Sequence, residues 1–167
     1  YMVYFIPMNA LATTANTLVG NTIGAGNPRG VIPLVKRICL LNLGIVILLI
    51  AVTLIAPRFW ISFIAPQDQL SLIGETIAPL VVLLFSLPFS ALGTVIFNSI
   101  SGTGNTRIAL ILEMITMVIY VCAMFWIVIY KQMSVAMCWT VEYFYWVPLL
   151  IFSILYMYRG RWQNKKI

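Results

Sequence analysis

The 167-residue chain contains no histidine and only four acidic residues, Asp68, Glu75, Glu113 and Glu142. Without imidazole, a thiolate–imidazole metal site cannot be built. The three cysteines, Cys39, Cys122 and Cys138, fall singly inside apolar stretches with no CxxC spacing, and read as small core hydrophobes. No nucleophile–base pair is visible, so the chain reads as a non-enzyme with neither cofactor nor metal. Charged residues make up 8% of the chain, against roughly 25% in a soluble domain. The net charge of +6 is no nucleic-acid signature, because the basic residues lie at segment ends and form no face. No nucleic-acid partner is expected.

Apolar residues fill the space that charge leaves. Hydrophobic residues are 62% of the sequence, and the mean hydropathy is +1.03. A soluble fold of this size could not cover so much apolar surface, so the chain reads as an integral, all-α polytopic membrane protein. A spanning helix needs roughly 20 apolar residues. Five stretches qualify, at about 1–23, 31–57, 75–101, 108–130 and 134–158, followed by a basic tail at 159–167. The linker 58–74, with Arg58, Pro66 and Asp68, reads as an exposed loop.

The pattern G-x-G-N-x-R occurs twice, as Gly24-Ala25-Gly26-Asn27-Pro28-Arg29 and as Gly102-Thr103-Gly104-Asn105-Thr106-Arg107. Each copy closes one apolar segment and opens the next. Glycine and asparagine end helices because they tolerate left-handed backbone angles, and Pro28 suits a first helical turn. The glycines do not form a nucleotide loop, since no strand precedes them and no P-loop lysine follows. Two such turns, two helices apart, belong on one side of a membrane. Arg29, Lys36, Arg37, Arg107, Arg159, Arg161, Lys165 and Lys166 mark that side, against Arg58 and Lys131 on the other. The turns and the C-terminus are therefore expected in the cytoplasm of a plasma membrane, in bacteria the inner membrane. Tyr1 already stands inside an apolar helix, and five helices suit poorly a fold built from halves. The chain reads as a C-terminal fragment of a larger transporter.

Few side chains could carry chemistry. Glu113 and Glu142 fall inside spans, where a charge costs roughly 2.5–3.5 kcal/mol and so faces a cavity or a partner. A carboxyl group shielded from water takes up protons readily, which suits a proton carrier. The alternative is a glutamate that bonds a neighbouring helix. Trp139, Tyr145 and Trp146 accompany Glu142 at helical spacing and could hold a lipophilic cation, or form an interfacial belt. Asn9, Thr13, Asn16 and Gly20 form a narrow polar stripe on the first span, lining a watery cavity or bonding another helix. Gly20-xxx-Gly24 and Gly26-xxx-Gly30 suggest close packing. On the third span Pro79, Ser86, Ser90 and Gly93 share a face. On the fourth, Glu113, Met117, Tyr120 and Met124 do, as a pocket or as packing. Tyr158 and Trp162 mark the inner edge of the fifth span.

Pro7…Ala12…Val19-Gly20-Asn21-Thr22-Ile23-Gly24-Ala25-Gly26-Asn27 resembles the eighth-helix signature of the multidrug and toxic compound extrusion (MATE) transporters. Asn98-Ser99-Ile100-Ser101-Gly102-Thr103-Gly104-Asn105 resembles the end of their tenth helix, and Gly160-Arg161-Trp162 with its lysines also fits. The resemblance covers the chain as helices eight to twelve of twelve. It implies an antiporter driven by H⁺ or Na⁺ that exports lipophilic, often cationic small molecules. Two six-helix lobes face each other across a central cavity, and this chain forms most of one, with the missing N-terminal lobe and membrane lipid as partners. Two departures stand out. Ser101 stands where members often carry arginine. No acid lies between Glu75 and Glu113, and Ser90 sits near the aspartate of some sodium-coupled members. Two rivals to the antiporter are a lipid-linked oligosaccharide or lipid flippase of the same wider superfamily and a non-transporting scaffold. No Lys or Arg lies deep in a span to hold phosphate head groups, which disfavours the flippase.

Overall fold

In the computed structural model, residues 2–57, 59–60, 73–159 and 162 are described, without the side chains of 73–75. Most of the loop 58–74, including Asp68, and most of the tail 159–167 lie outside them, as does the side chain of Glu75. Every regular element among the described residues is helical. The helices are α1 (Met2–Gly24), α2 (Val31–Ile55), α3 (Ile73–Gly102), α4 (Thr106–Met124), a short α5 (Val135–Cys138) and α6 (Val141–Tyr158).

The long α3 is the hub of the bundle, packed against α1, α2, α4 and α6, while α4 leans on α6. At one end Ala12, Ala15, Val19, Val31, Val35, Val95 and Ile100 form a core with Met157 and Trp162. At the other, Tyr4 and Met8 of α1 meet Val46, Leu84, Leu87 and Ala91. Tyr4 and Thr53 join α1 to α2 there through their hydroxyls. Within the buried layer, Asn42 of α2 donates from Nδ2 to the Ala91 carbonyl at 2.8 Å.

Four stretches are long and apolar enough to cross a bilayer: Pro28–Ile55, Thr76–Gly102, Thr106–Tyr130 and Val135–Tyr158. The expected first span falls short in hydropathy though not in length, since α1 has 23 residues, about 34 Å at the α-helical rise. Asn9, Thr13, Thr14, Asn16 and Thr17 lower its hydropathy. Its hydroxyls turn back on their own helix, Thr13 to the Asn9 carbonyl and Thr17 to that of Thr13.

Both glycine turns take similar backbone paths. Gly26 and Gly104 each adopt φ +76°, a region open to glycine at little steric cost. Around Gly26 the amide of Asn27 bonds the Thr22 carbonyl and that of Gly26 the Ile23 carbonyl, the paired bonds of a Schellman motif. Asn27 then accepts the Gly30 amide on Oδ1 and starts a 3₁₀ turn over Pro28–Gly30. At the second turn Gly104 bonds Ser101. The buried Asn105 donates to the Thr103 hydroxyl and also engages the side chain of Tyr156. These glycines and asparagines thus shape the connections, and the contact of Gly20 with Gly102 sets both turns at one end of the bundle.

The fourth and fifth expected spans each match one apolar helical stretch, with local departures from the α-ladder. In the fifth, α5 ends at Cys138 and α6 starts at Val141. Between them Thr140 bonds the Met137 carbonyl through its hydroxyl, and successive amides reach back only three residues, so local bonding competes with the helix ladder. The fourth span leaves α-geometry in a π-helical turn over Phe125–Tyr130, where Lys131 Nζ stands 5.6 Å from the Trp126 ring. The GxxxG spacings serve close packing only in part: Gly20 packs on Gly102, whereas a methyl group at Gly24 or Gly26 would meet no described atom within 4 Å. Trp162 is also no belt residue: it is buried and donates to the Met157 carbonyl, whereas Tyr158 is exposed.

Candidate functional site

The cleft between α4 and α6 gathers both intramembrane acids and the aromatic residues expected around them. Glu113 lies two turns into α4, and Glu142 in the first turn of α6. Tyr145, one turn further along α6, reaches across and donates from its hydroxyl to Glu113 Oε1 at 2.5 Å. Trp146 donates from Nε1 to Glu142 Oε2 at 3.0 Å. The two rings are neighbours, edge to face with centroids 4.8 Å apart. Tyr120 of α4 closes on Tyr145 at 5.9 Å, and Phe5 of α1 on Trp146 at 6.0 Å. A chain of rings thus runs from one carboxylate to the other.

Glu142 follows the turn at Trp139–Thr140, in the first turn of α6 and two turns into the apolar stretch Val135–Tyr158. The amides there are already bonded, that of Glu142 to the Trp139 carbonyl and that of Tyr143 to the Thr140 carbonyl, so the carboxylate is held by a side chain, the Trp146 indole. A cavity of about 210 Å³ opens beside it, lined by Tyr120, Met124, Val128, Cys138, Trp139, Val141 and Glu142. Trp139, in the turn between α5 and α6, forms its rim. An anionic carboxylate beside three aromatic side chains attracts cations by charge and by ring quadrupole.

The other expected site residues are placed differently. Asn9 and Thr13 are exposed, on the face of α1 opposite the packed Tyr4, Met8, Ala12, Ala15 and Val19. Asn16 is half-buried, its backbone against Gly102. The stripe is therefore divided: Asn16 and Gly20 pack α1 on Gly102 of α3, while Asn9 and Thr13 face outward. The outward half is polar in a bundle whose other outer faces, such as Leu40, Leu41, Ile47 and Leu48 of α2, are apolar. Ser86 and Ser90 are buried, with hydroxyls committed to the Leu83 and Leu87 carbonyls. They stand in helix packing and do not meet the two acids. On α4, Met117 turns outward while Met124 faces the cavity.

Sequence reasoning named both Glu113 and Tyr145 but not their bond. It missed the cross-helix bonds of Asn42 to Ala91 and of Tyr143 to the Val82 carbonyl. For Asn42 a signal existed, a lone amide in a long apolar run. Among the described residues no group of acids and cysteines could hold a metal ion.

The MatE family model matches residues 1–126, well over half of the chain. No curated protein and no solved structure matches it. The match takes in α1 to α4, both glycine turns and Glu113, and ends before the helix break and Glu142. An all-helical, strongly apolar bundle with turns at the positions marked in the sequence agrees with that match. The chain therefore belongs to the MatE family of membrane transporters.

Proposed function

We propose that the chain forms most of one lobe of a cation-coupled antiporter that exports lipophilic, often cationic compounds by alternating access. The observation that carries this reading is the α4–α6 cleft, where Tyr145 and Trp146 hold Glu113 and Glu142 at the two ends of one aromatic chain. A carboxylate there binds a proton or a cationic substrate, and competition for the charge couples export to cation entry. Each charge moved through the membrane potential contributes about 2.3 kcal/mol per 100 mV. The polar outer face of α1 supports the reading further, since Asn9 and Thr13 are poorly suited to acyl chains. That face then turns to water or to the opposite lobe, and rocking of the lobes alternates access. The coupling ion is H⁺ or Na⁺.

The test is efflux of an ethidium-like cation from proteoliposomes carrying the full-length protein, driven by an imposed proton gradient. Glu142→Gln is expected to reduce proton-driven efflux at least tenfold while leaving the fold intact. Undiminished efflux removes Glu142 from the mechanism, and Glu113→Gln asks the same of its partner.

A further inference from the structure

A second cavity opens at the glycine-turn end of the bundle, outside the cleft that holds the acids. It has a volume of about 240 Å³ and lies between α2 and α6, with α3 as its floor. Val35 and Cys39 form one wall, Leu92 and Ile96 the floor, and Ile154 with Tyr158 the other wall. The lining is apolar except at the mouth, where Lys36 stands exposed on α2. Arg159, also exposed, follows Tyr158 on the opposite bank.

We propose that this groove binds an anionic phospholipid, one acyl chain lying over Leu92 and Ile96 and the phosphate held between Lys36 and Arg159. Three observations converge on that occupant. The cavity is smaller than the roughly 300–1,000 Å³ of drug-sized sites. Apart from the Cys39 thiol and the Tyr158 hydroxyl, its walls offer no hydrogen-bonding side chain for a polar ligand. Cations stand on both banks at one end only, the end of the bundle richest in basic residues and so the cytoplasmic one. Basic pockets between helices at that level select anionic head groups, each lysine or arginine adding attraction within a Debye length. The site rests on the membrane setting of the chain, and stands or falls independently of the acids in the other cleft.

Native mass spectrometry of the full-length protein in detergent, titrated with phosphatidylglycerol and phosphatidylcholine of matched chains, tests this. Retention of phosphatidylglycerol is expected to exceed that of phosphatidylcholine by about 25-fold, about fivefold for each of the two basic residues. Lys36→Gln should bring the preference to about fivefold, and Lys36→Gln with Arg159→Gln should abolish it. Ile96→Trp should fill the floor and lower retention of both lipids. Ile154→Trp gives the same readout from the opposite wall if position 96 does not tolerate the ring. Equal retention of the two lipids, or a preference untouched by the charge substitutions, overturns the proposal. So does retention that survives both tryptophans, and so does failure to hold either lipid because another helix occupies the groove.

Discussion

Gly102 at the end of α3 lies directly on the backbone of Asn16 in α1. A Cβ at position 102 would overlap the Asn16 carbonyl oxygen and stand 3.1 Å from its carbonyl carbon and Cα. On the same side, a Cβ at Gly20 would stand 3.5 Å from the Gly102 carbonyl oxygen. Backbone cannot yield as a flexible side chain can, so Gly102→Ala forces the helices apart. A loss of about 1–3 kcal/mol is expected, read as a lower thermal unfolding midpoint of the full-length protein in detergent. Gly24→Ala, which meets nothing within 4 Å, should change stability by less than about 0.5 kcal/mol. Equal effects at the two positions would refute the close crossing.

The bond between Tyr145 and Glu113 is testable apart from any transport role. Tyr145→Phe removes the hydroxyl but keeps the ring against Tyr120 and Trp146. A double-mutant cycle with Glu113→Leu, which removes the acceptor, should give a coupling energy of about 0.6 kcal/mol, the average for such bonds between membrane helices, and up to about 1.7 kcal/mol. A coupling indistinguishable from zero would mean that the two side chains do not meet.

Asn42 is fully buried, and its Oδ1 has no partner among the described residues. Asn42→Ala loses the bond to Ala91 and leaves a void. Asn42→Leu loses the bond but fills the space and removes the unpaired oxygen. Alanine should cost about 1–2 kcal/mol, and leucine less than half of that. If leucine proves the more damaging in thermal unfolding, the amide holds α2 to α3 more strongly than its single bond implies.

Trp162, 2% exposed, and Tyr158, 78% exposed, are neighbouring aromatics with opposite surroundings. Trp162→Ala should destabilise the bundle by about 3–5 kcal/mol. Tyr158→Ala should leave unfolding nearly unchanged. Proteolytic sensitivity of the C-terminal segment in membranes offers an independent readout: it should rise for position 162 alone.

How far the fold could be read in advance depended on whether the signal was local. The two G-x-G-N-x-R turns were legible because a positive φ at Gly26 and Gly104 is a property of a few consecutive residues. The apolar runs announced the long helices for the same reason. The turn at Trp139–Thr140 was not legible, since hydropathy continues across it and only the local bonding changes, to amides that reach back three residues. Pairing of Glu113 with Tyr145 depends on how α4 and α6 are rotated against each other. Periodicity gives the face of each helix but not the facing partner. The stripe from Asn9 to Gly20 could be read as one face, but not that Asn9 and Thr13 point outward while Asn16 and Gly20 pack on Gly102. Trp162 was misread because an aromatic residue beside basic ones usually sits at the lipid interface, and here it folds back to bond Met157.

The central place of α3 bears on how the protein is made. Helix α1, less apolar than the four long spans, finds its main partner roughly fifty residues later in the chain. At ordinary synthesis rates that is a wait of about 3–10 s. Until α3 emerges α1 can pack only on α2, and ribosome stalling before residue 73 should leave a cysteine at position 16, which meets Gly102 in the complete chain, more reactive to a soluble thiol reagent.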